Sequence, residues 1–120
     1  QKQVESIRTQ GLEFLIEAKR NNKKVIGYGA AAKGNTLLNY CGIKGTDLIS
    51  FVVDASPHKK GHYLPGSRIP VVDEENIALH KPDYIVVLPW NLMDEIALQL
   101  SYTKEWGARL VRFIPTLKIM

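Results

Sequence analysis

The chain has 120 residues, 45% of them hydrophobic, and a formal net charge of +4 from 16 Lys and Arg against 12 Asp and Glu. That length and apolar content suit one domain with a two- or three-layer core; the charge is modest and, with no long Lys/Arg stripe and no zinc-finger spacing, does not point to nucleic acid. Cys41, the single cysteine, leaves no intrachain disulfide or cysteine metal cluster, and the longest apolar stretch, Tyr84 to Trp90, is far too short to span a bilayer.

The start, QKQVESIRTQ, lacks the apolar region of a signal peptide, and the expected location is the cytoplasm. Val4, Ile7, Gly11, Phe14 or Leu15, and Ala18 mark one face of a helix that fills residues 1–22. Residues 23–120 then alternate strand and helix. Strands are expected at about 24–28, 50–54, 69–72, 83–88 and 108–114. Asp73 is expected to cap a helix that Pro82 ends, and Asn91 a helix running to about Lys104. Such alternation is the signature of a parallel sheet covered on two faces. With right-handed crossovers the economical arrangement is a three-layer, Rossmann-like α/β domain of about five strands in the order 3-2-1-4-5, with an extra N-terminal helix.

The most informative segment is VIGYGAAAKGNT, residues 25–36. It is expected to set Gly27 and Gly29 on a turn after a buried strand and to open a helix that Gly42 stops, with Cys41 on its buried face. The unpaired N–H groups of Ala31, Ala32 and Lys33 would face a ligand there, where the helix dipole favours negative charge. Lys33 opposes that dipole, at a cost of up to about 1 kcal/mol unless an anion such as a diphosphate compensates. Gly34 costs about 1 kcal/mol relative to Ala inside a helix, which close packing or ligand approach would explain. Gly27, Gly29 and Ala32 also fit the G-x-G-x-x-A dinucleotide fingerprint, with Asp54 at the spacing of a ribose-binding acid.

In the strand order above, Pro89, Trp90 and Asn91 come beside Gly29 to Asn35, so Trp90 can stack on a base or sugar and Asn91 can meet a ligand while capping its helix. The bland alternative is that these three only end the strand, pack and cap. The connection ASPHKKGHYLPGSR, residues 55–68, is long for its place and rich in turn residues and cations. It reads either as a solvated basic loop or as a lid that brings Lys59 or Arg68 to phosphate and Tyr63 as a hydrogen-bond donor. His58 and His62 have no third ligand with an evident place, so no metal is expected.

The segments GYGAAAKGNTLLNYCGI, DASPHKKGHYLPGSRIPV and PDYIVVLPWNLMDEI together resemble the C-terminal domain of S-adenosylmethionine-dependent sugar C-methyltransferases. The resemblance covers about Val25 to Pro115. Its glycine–lysine motif is present as Gly27, Gly29, Lys33, Gly34, Asn35 and Thr36, its loop signature as Pro57, His58, Lys59, Gly61, Pro65 and Gly66, and its third motif as Pro89, Trp90 and Asn91. It implies a nucleotide-diphosphate sugar as partner, with a deprotonation beside a 4-keto group followed by methyl transfer. It also implies upstream domains that carry zinc and S-adenosylmethionine, no cofactor on residues 1–120, and an isolated fragment that is inactive; the short apolar runs separately leave no membrane partner expected. Residues 1–22 would then connect to the methyltransferase domain. From the residues themselves, His58 and Tyr63, with His62 beside them, are candidates for base or enol stabiliser if the loop folds inward, although a base on the upstream domain fits better.

Two other readings remain open. The same turn would serve an NAD(P)-binding module of an oxidoreductase or sensor, with Asp54 on the adenosine ribose. Alternatively, the glycines are purely structural and the domain is a non-catalytic docking or dimerisation module.

Overall fold

A computed structural model describes residues 2–29, 48–53, 69–88, 92–112 and 118–119. Helix α1 runs Lys2–Arg20. Strands β1 (Val25–Tyr28), β2 (Val52–Val53) and β3 (Val71–Val72) follow, then helix α2 (Glu75–His80), β4 (Tyr84–Val87), helix α3 (Met93–Gln99), a 3₁₀ helix at Ser101–Trp106, β5 (Arg109–Arg112) and β6 (Lys118–Ile119). The strands form one sheet in the order β3-β2-β1-β4-β5-β6. Its first five strands are parallel, and β6 is antiparallel to β5.

Period-two alternation along the strands divides the core between the two faces. Val25, Val52, Val71, Val86 and Val111 point to one face, where Leu15 and Ala18 of α1 cover them. Ile26, Tyr28, Val53, Ile85, Val87 and Leu110 point to the other, under Ile77 of α2 and Met93 and Ile96 of α3. Both faces of β1 and β4 are therefore buried, which explains why these strands are continuous apolar runs. The result is the three-layer, Rossmann-like arrangement expected from the alternation of elements.

Helix α1 buries Gly11, Leu15 and Ala18, the spacing of one helical face. Phe14 packs edge-on against Tyr84 with ring centroids 4.9 Å apart, which ties α1 to β4. Lys19 and Arg20 in the last turn suit the negative end of the helix dipole. The helix stops because Asn22 takes a left-handed conformation, φ 58°. Its N–H then reaches the Lys19 carbonyl at 3.0 Å and that of Lys23 the Ala18 carbonyl at 2.8 Å, a paired closure of the helix end.

Several local expectations are corrected. Gly27 lies within β1, not on the turn after it. A Cβ built there would stand 3.0 Å from Val52 Cγ2 and 3.7 Å from Leu88 Cδ1, so the glycine is needed for strand packing. Helix α2 begins one residue later than an Asp73 cap implies: Glu74 holds the cap position and makes no side-chain cap bond. Asp73 contributes its carbonyl, which accepts from the Asn76 N–H and the Asn76 Nδ2, each at 3.1 Å. The expected helix to Lys104 is two pieces. The α-helix ends at Gln99, and a 3₁₀ helix follows to Trp106. There the buried Thr103 hydroxyl donates to the Leu100 carbonyl at 2.6 Å. The antiparallel β6 was not expected at all. Among the described residues, no helix is long and apolar enough to cross a membrane.

Candidate functional site

The carboxyl ends of β2, β1 and β4 lie side by side. Tyr28 pairs with Val53 on one side and with Val87 on the other. The Gly29 N–H donates to the Val53 carbonyl at 2.7 Å, and the Leu88 N–H donates to the Tyr28 carbonyl at 3.0 Å. The chain is thus fastened from both sides as far as Gly29, where φ reaches 85°. A side chain there would be strained, so the glycine sets the direction in which the chain leaves the sheet.

This edge has the topology of a ligand site. Strand β1 lies between β2, which follows it in the chain, and β4, which begins the second half, so successive connections run to opposite sides of β1. In open α/β sheets ligands bind outside the carboxyl ends of the strands at such a switch point. Strand spacing makes the three ends about 10 Å wide.

The three sequence motifs begin at these ends. Ala30 follows Gly29, Asp54 follows Val53, and Pro89 follows Leu88. The structure therefore brings together the points from which the motifs leave the sheet. Of the candidate residues, Gly27 and Gly29 are described. Ala31, Ala32, Lys33, Gly34, Asn35, Thr36, Asp54, His58, Lys59, Tyr63, Arg68, Pro89, Trp90 and Asn91 lie outside the described residues, as do Cys41, Gly42 and His62. The buried Gly27 uses its N–H on the Phe51 carbonyl at 2.9 Å. Together with the close approach of Val52, this gives it a place in the wall of the sheet.

Sequence reasoning did not find a polar cluster behind the edge. The Tyr28 hydroxyl lies 3.2 Å from Glu74 Oε1 and 3.4 Å from Gln99 Oε1. With one proton to give, it donates to the carboxylate, and a turned Gln99 amide can donate back to the phenol oxygen. Burial, and then the Glu74 carboxylate, push the Tyr102 phenol above its ordinary pKa. Tyr28 thereby connects the last residue of β1 with the start of α2 and the end of α3. Its signal in the sequence was weak, because a tyrosine closing a buried strand reads as packing alone. Arg112, at the carboxyl end of β5, likewise belongs to no motif in the sequence.

Among the described residues, no group of three or more His, Cys, Asp or Glu side chains is placed to hold a metal ion. Comparison with known proteins then adds a family to the geometry. The family model described as "C-methyltransferase C-terminal domain" matches residues 1–115. C-methyltransferase NovU of Streptomyces niveus is 39% identical over 116 residues, which is 97% of this chain and 27% of NovU.

Proposed function

Because this chain belongs to the C-methyltransferase C-terminal domain family, we propose that it is the nucleotide-sugar-binding domain of an S-adenosylmethionine-dependent C-methyltransferase that acts on a 4-keto-deoxysugar nucleotide. The observation that carries this reading is the convergence of the β2, β1 and β4 carboxyl ends on Gly29 with its φ of 85°. It supports the reading because a diphosphate held at that edge would lie beside the N-terminus of the helix expected after β1.

In this reading Lys33 and the amides of Ala31 and Ala32 hold the diphosphate, with Lys59 or Arg68 as a second cation. Gly34, Asn35 and Thr36 keep the helix start close to the ligand. Trp90 stacks on the base or sugar, and Pro89 and Asn91 shape that wall. His58 and Tyr63 lie nearer the sugar, and Asp54 accepts from a ribose hydroxyl. The methyl group comes from S-adenosylmethionine held by an upstream domain to which residues 1–22 connect. The base that removes the proton beside the 4-keto group is supplied upstream too, so residues 1–120 bind and orient but do not turn over alone.

Calorimetric titration of the full-length protein with thymidine-diphosphate sugars, NAD and NADP tests this. The sugar nucleotide should bind in preference. Preference for a dinucleotide would instead support an oxidoreductase or sensor module, and binding of neither would support a docking or dimerisation role.

A further inference from the structure

We propose that Arg112 and Lys118 form an anion-binding pair at the carboxyl end of β5, which takes a phosphate or carboxylate group of a small-molecule ligand. The two residues are direct partners in the antiparallel β5–β6 pairing, so their side chains stand on the same face of the sheet. Like charges directly opposite destabilise such a pair. Lys118 is exposed and Arg112 half-buried. The Arg112 Nε is shut off from water and has no acceptor among the described residues.

That is a costly arrangement to leave unanswered. A buried donor without an acceptor bears its full desolvation penalty. A guanidinium cannot relieve that penalty by losing its proton. Among the described residues neither Arg112 nor Lys118 makes an ion pair. Asp94 and Glu95, in the first turn of α3, are exposed and pair with neither of them. An incoming anion would answer the facing like charges and the missing ion pair directly, and the buried Nε once the guanidinium turns to meet it: the planar Arg fork suits two oxygens of a phosphate or carboxylate, and Lys adds a compact charge beside it.

The pair also lies on the edge where ligands bind. Continuing the β4–β5 register from Val86 and Val111 sets Arg112 beside Val87, whose other neighbour is Tyr28. Two strand spacings, about 10 Å, separate it from the end of β1. The anion is therefore either a second group of the ligand at the glycine turn or a separate small anion. The proposal does not depend on the substrate assignment above.

The test titrates full-length protein with inorganic phosphate and with thymidine diphosphate, comparing wild type, Arg112→Met, Lys118→Gln and Lys33→Ala. Arg112→Met should weaken phosphate binding about tenfold or more and Lys118→Gln several-fold, in line with loss of charge-assisted contacts. Ligand-free Arg112→Met should melt at the same or a higher temperature than wild type, because it removes the unanswered donor. If thymidine diphosphate is weakened by both Arg112→Met and Lys33→Ala, one ligand spans both places. If it is weakened by Lys33→Ala alone, the pair holds a separate anion. Unchanged phosphate affinity in Arg112→Met and Lys118→Gln would overturn the proposal, as would a lower melting temperature of ligand-free Arg112→Met. Loss of the Lys33 effect with the Arg112 effect intact would count against the nucleotide-sugar reading only.

Discussion

At the amino edge of the sheet, Asp83 ties three strands together. Its Oδ2 accepts from the Lys24 N–H at 2.8 Å, its own N–H donates to the Lys24 carbonyl at 2.8 Å, and its carbonyl accepts from the Arg109 N–H at 3.0 Å. Beside it the Trp106 indole donates to the Pro82 carbonyl at 2.9 Å. The carboxyl edge is built differently: there the chain turns through the left-handed Gly29, and Arg112 carries a buried nitrogen without an acceptor among the described residues. In a parallel sheet every strand begins at one edge and ends at the other, so the two demands of a protein can be separated in space. Those demands are holding the strands in register, which backbone bonds do at both edges and Asp83 completes at the amino one, and receiving a ligand, which the proposed function assigns to the carboxyl edge.

The largest expected effect concerns the wall between these edges. Gly27→Val should lower stability by about 3 kcal/mol, at the upper end of overpacking costs, because its first carbon would already meet Val52 at 3.0 Å. Urea unfolding checks this, and an unchanged midpoint would show that the strands can part without penalty.

A second variant sharpens the contrast from the ligand side. Lys33→Ala should weaken nucleotide-sugar binding by about 1–3 kcal/mol, the range of a lost charge-assisted contact, while the unfolding midpoint stays nearly unchanged. Equal calorimetric affinities of wild type and variant at fixed salt would remove Lys33 from the site.

Asp83→Ala is its mirror image. Loss of the carboxylate contact with Lys24 should cost about 1 kcal/mol of stability and leave the ligand affinity alone, since the change is confined to the amino edge. A stability loss accompanied by an equal loss of affinity would break the division between the edges.

The smallest effects are kinetic. Lys59→Ala or Arg68→Ala should mainly raise KM if these cations hold phosphate, whereas His58→Ala or Tyr63→Phe should mainly lower kcat. Unchanged kinetics in all four would leave the loop a solvated surface and shift recognition to Gly29 to Asn35 and Trp90.

What was legible in the sequence follows the same physics. Strands β1 and β4 are buried on both faces, and their apolar runs announced them, while the order of the first five strands, 3-2-1-4-5, followed from the alternation of strand and helix with right-handed crossovers. Strand β6 is a pair of exposed residues held by pairing with β5, and it has no periodicity to read. The break after Gln99 carries neither Gly nor Pro; the turn to 3₁₀ geometry is settled by Thr103 bonding back to Leu100. The role of Gly27 depends on Val52 in the neighbouring strand, and the pairing of Arg112 with Lys118 depends on a register across two strands. The three motifs were legible, and the strand order read from the sequence already set Trp90 beside Gly29; the register adds that the β2, β1 and β4 ends from which the motifs depart are direct neighbours.

Hydrogen–deuterium exchange of the full-length protein, with and without a thymidine-diphosphate sugar, tests the separation of the edges most directly. Protection should rise at residues 29–36, 54–68 and 89–91, where the chain leaves the carboxyl ends of β1, β2 and β4, and should stay unchanged at residues 21–24 and 81–84 of the amino edge. Protection confined to the amino edge, or to α1 alone, would contradict the assignment of the carboxyl edge as the ligand site.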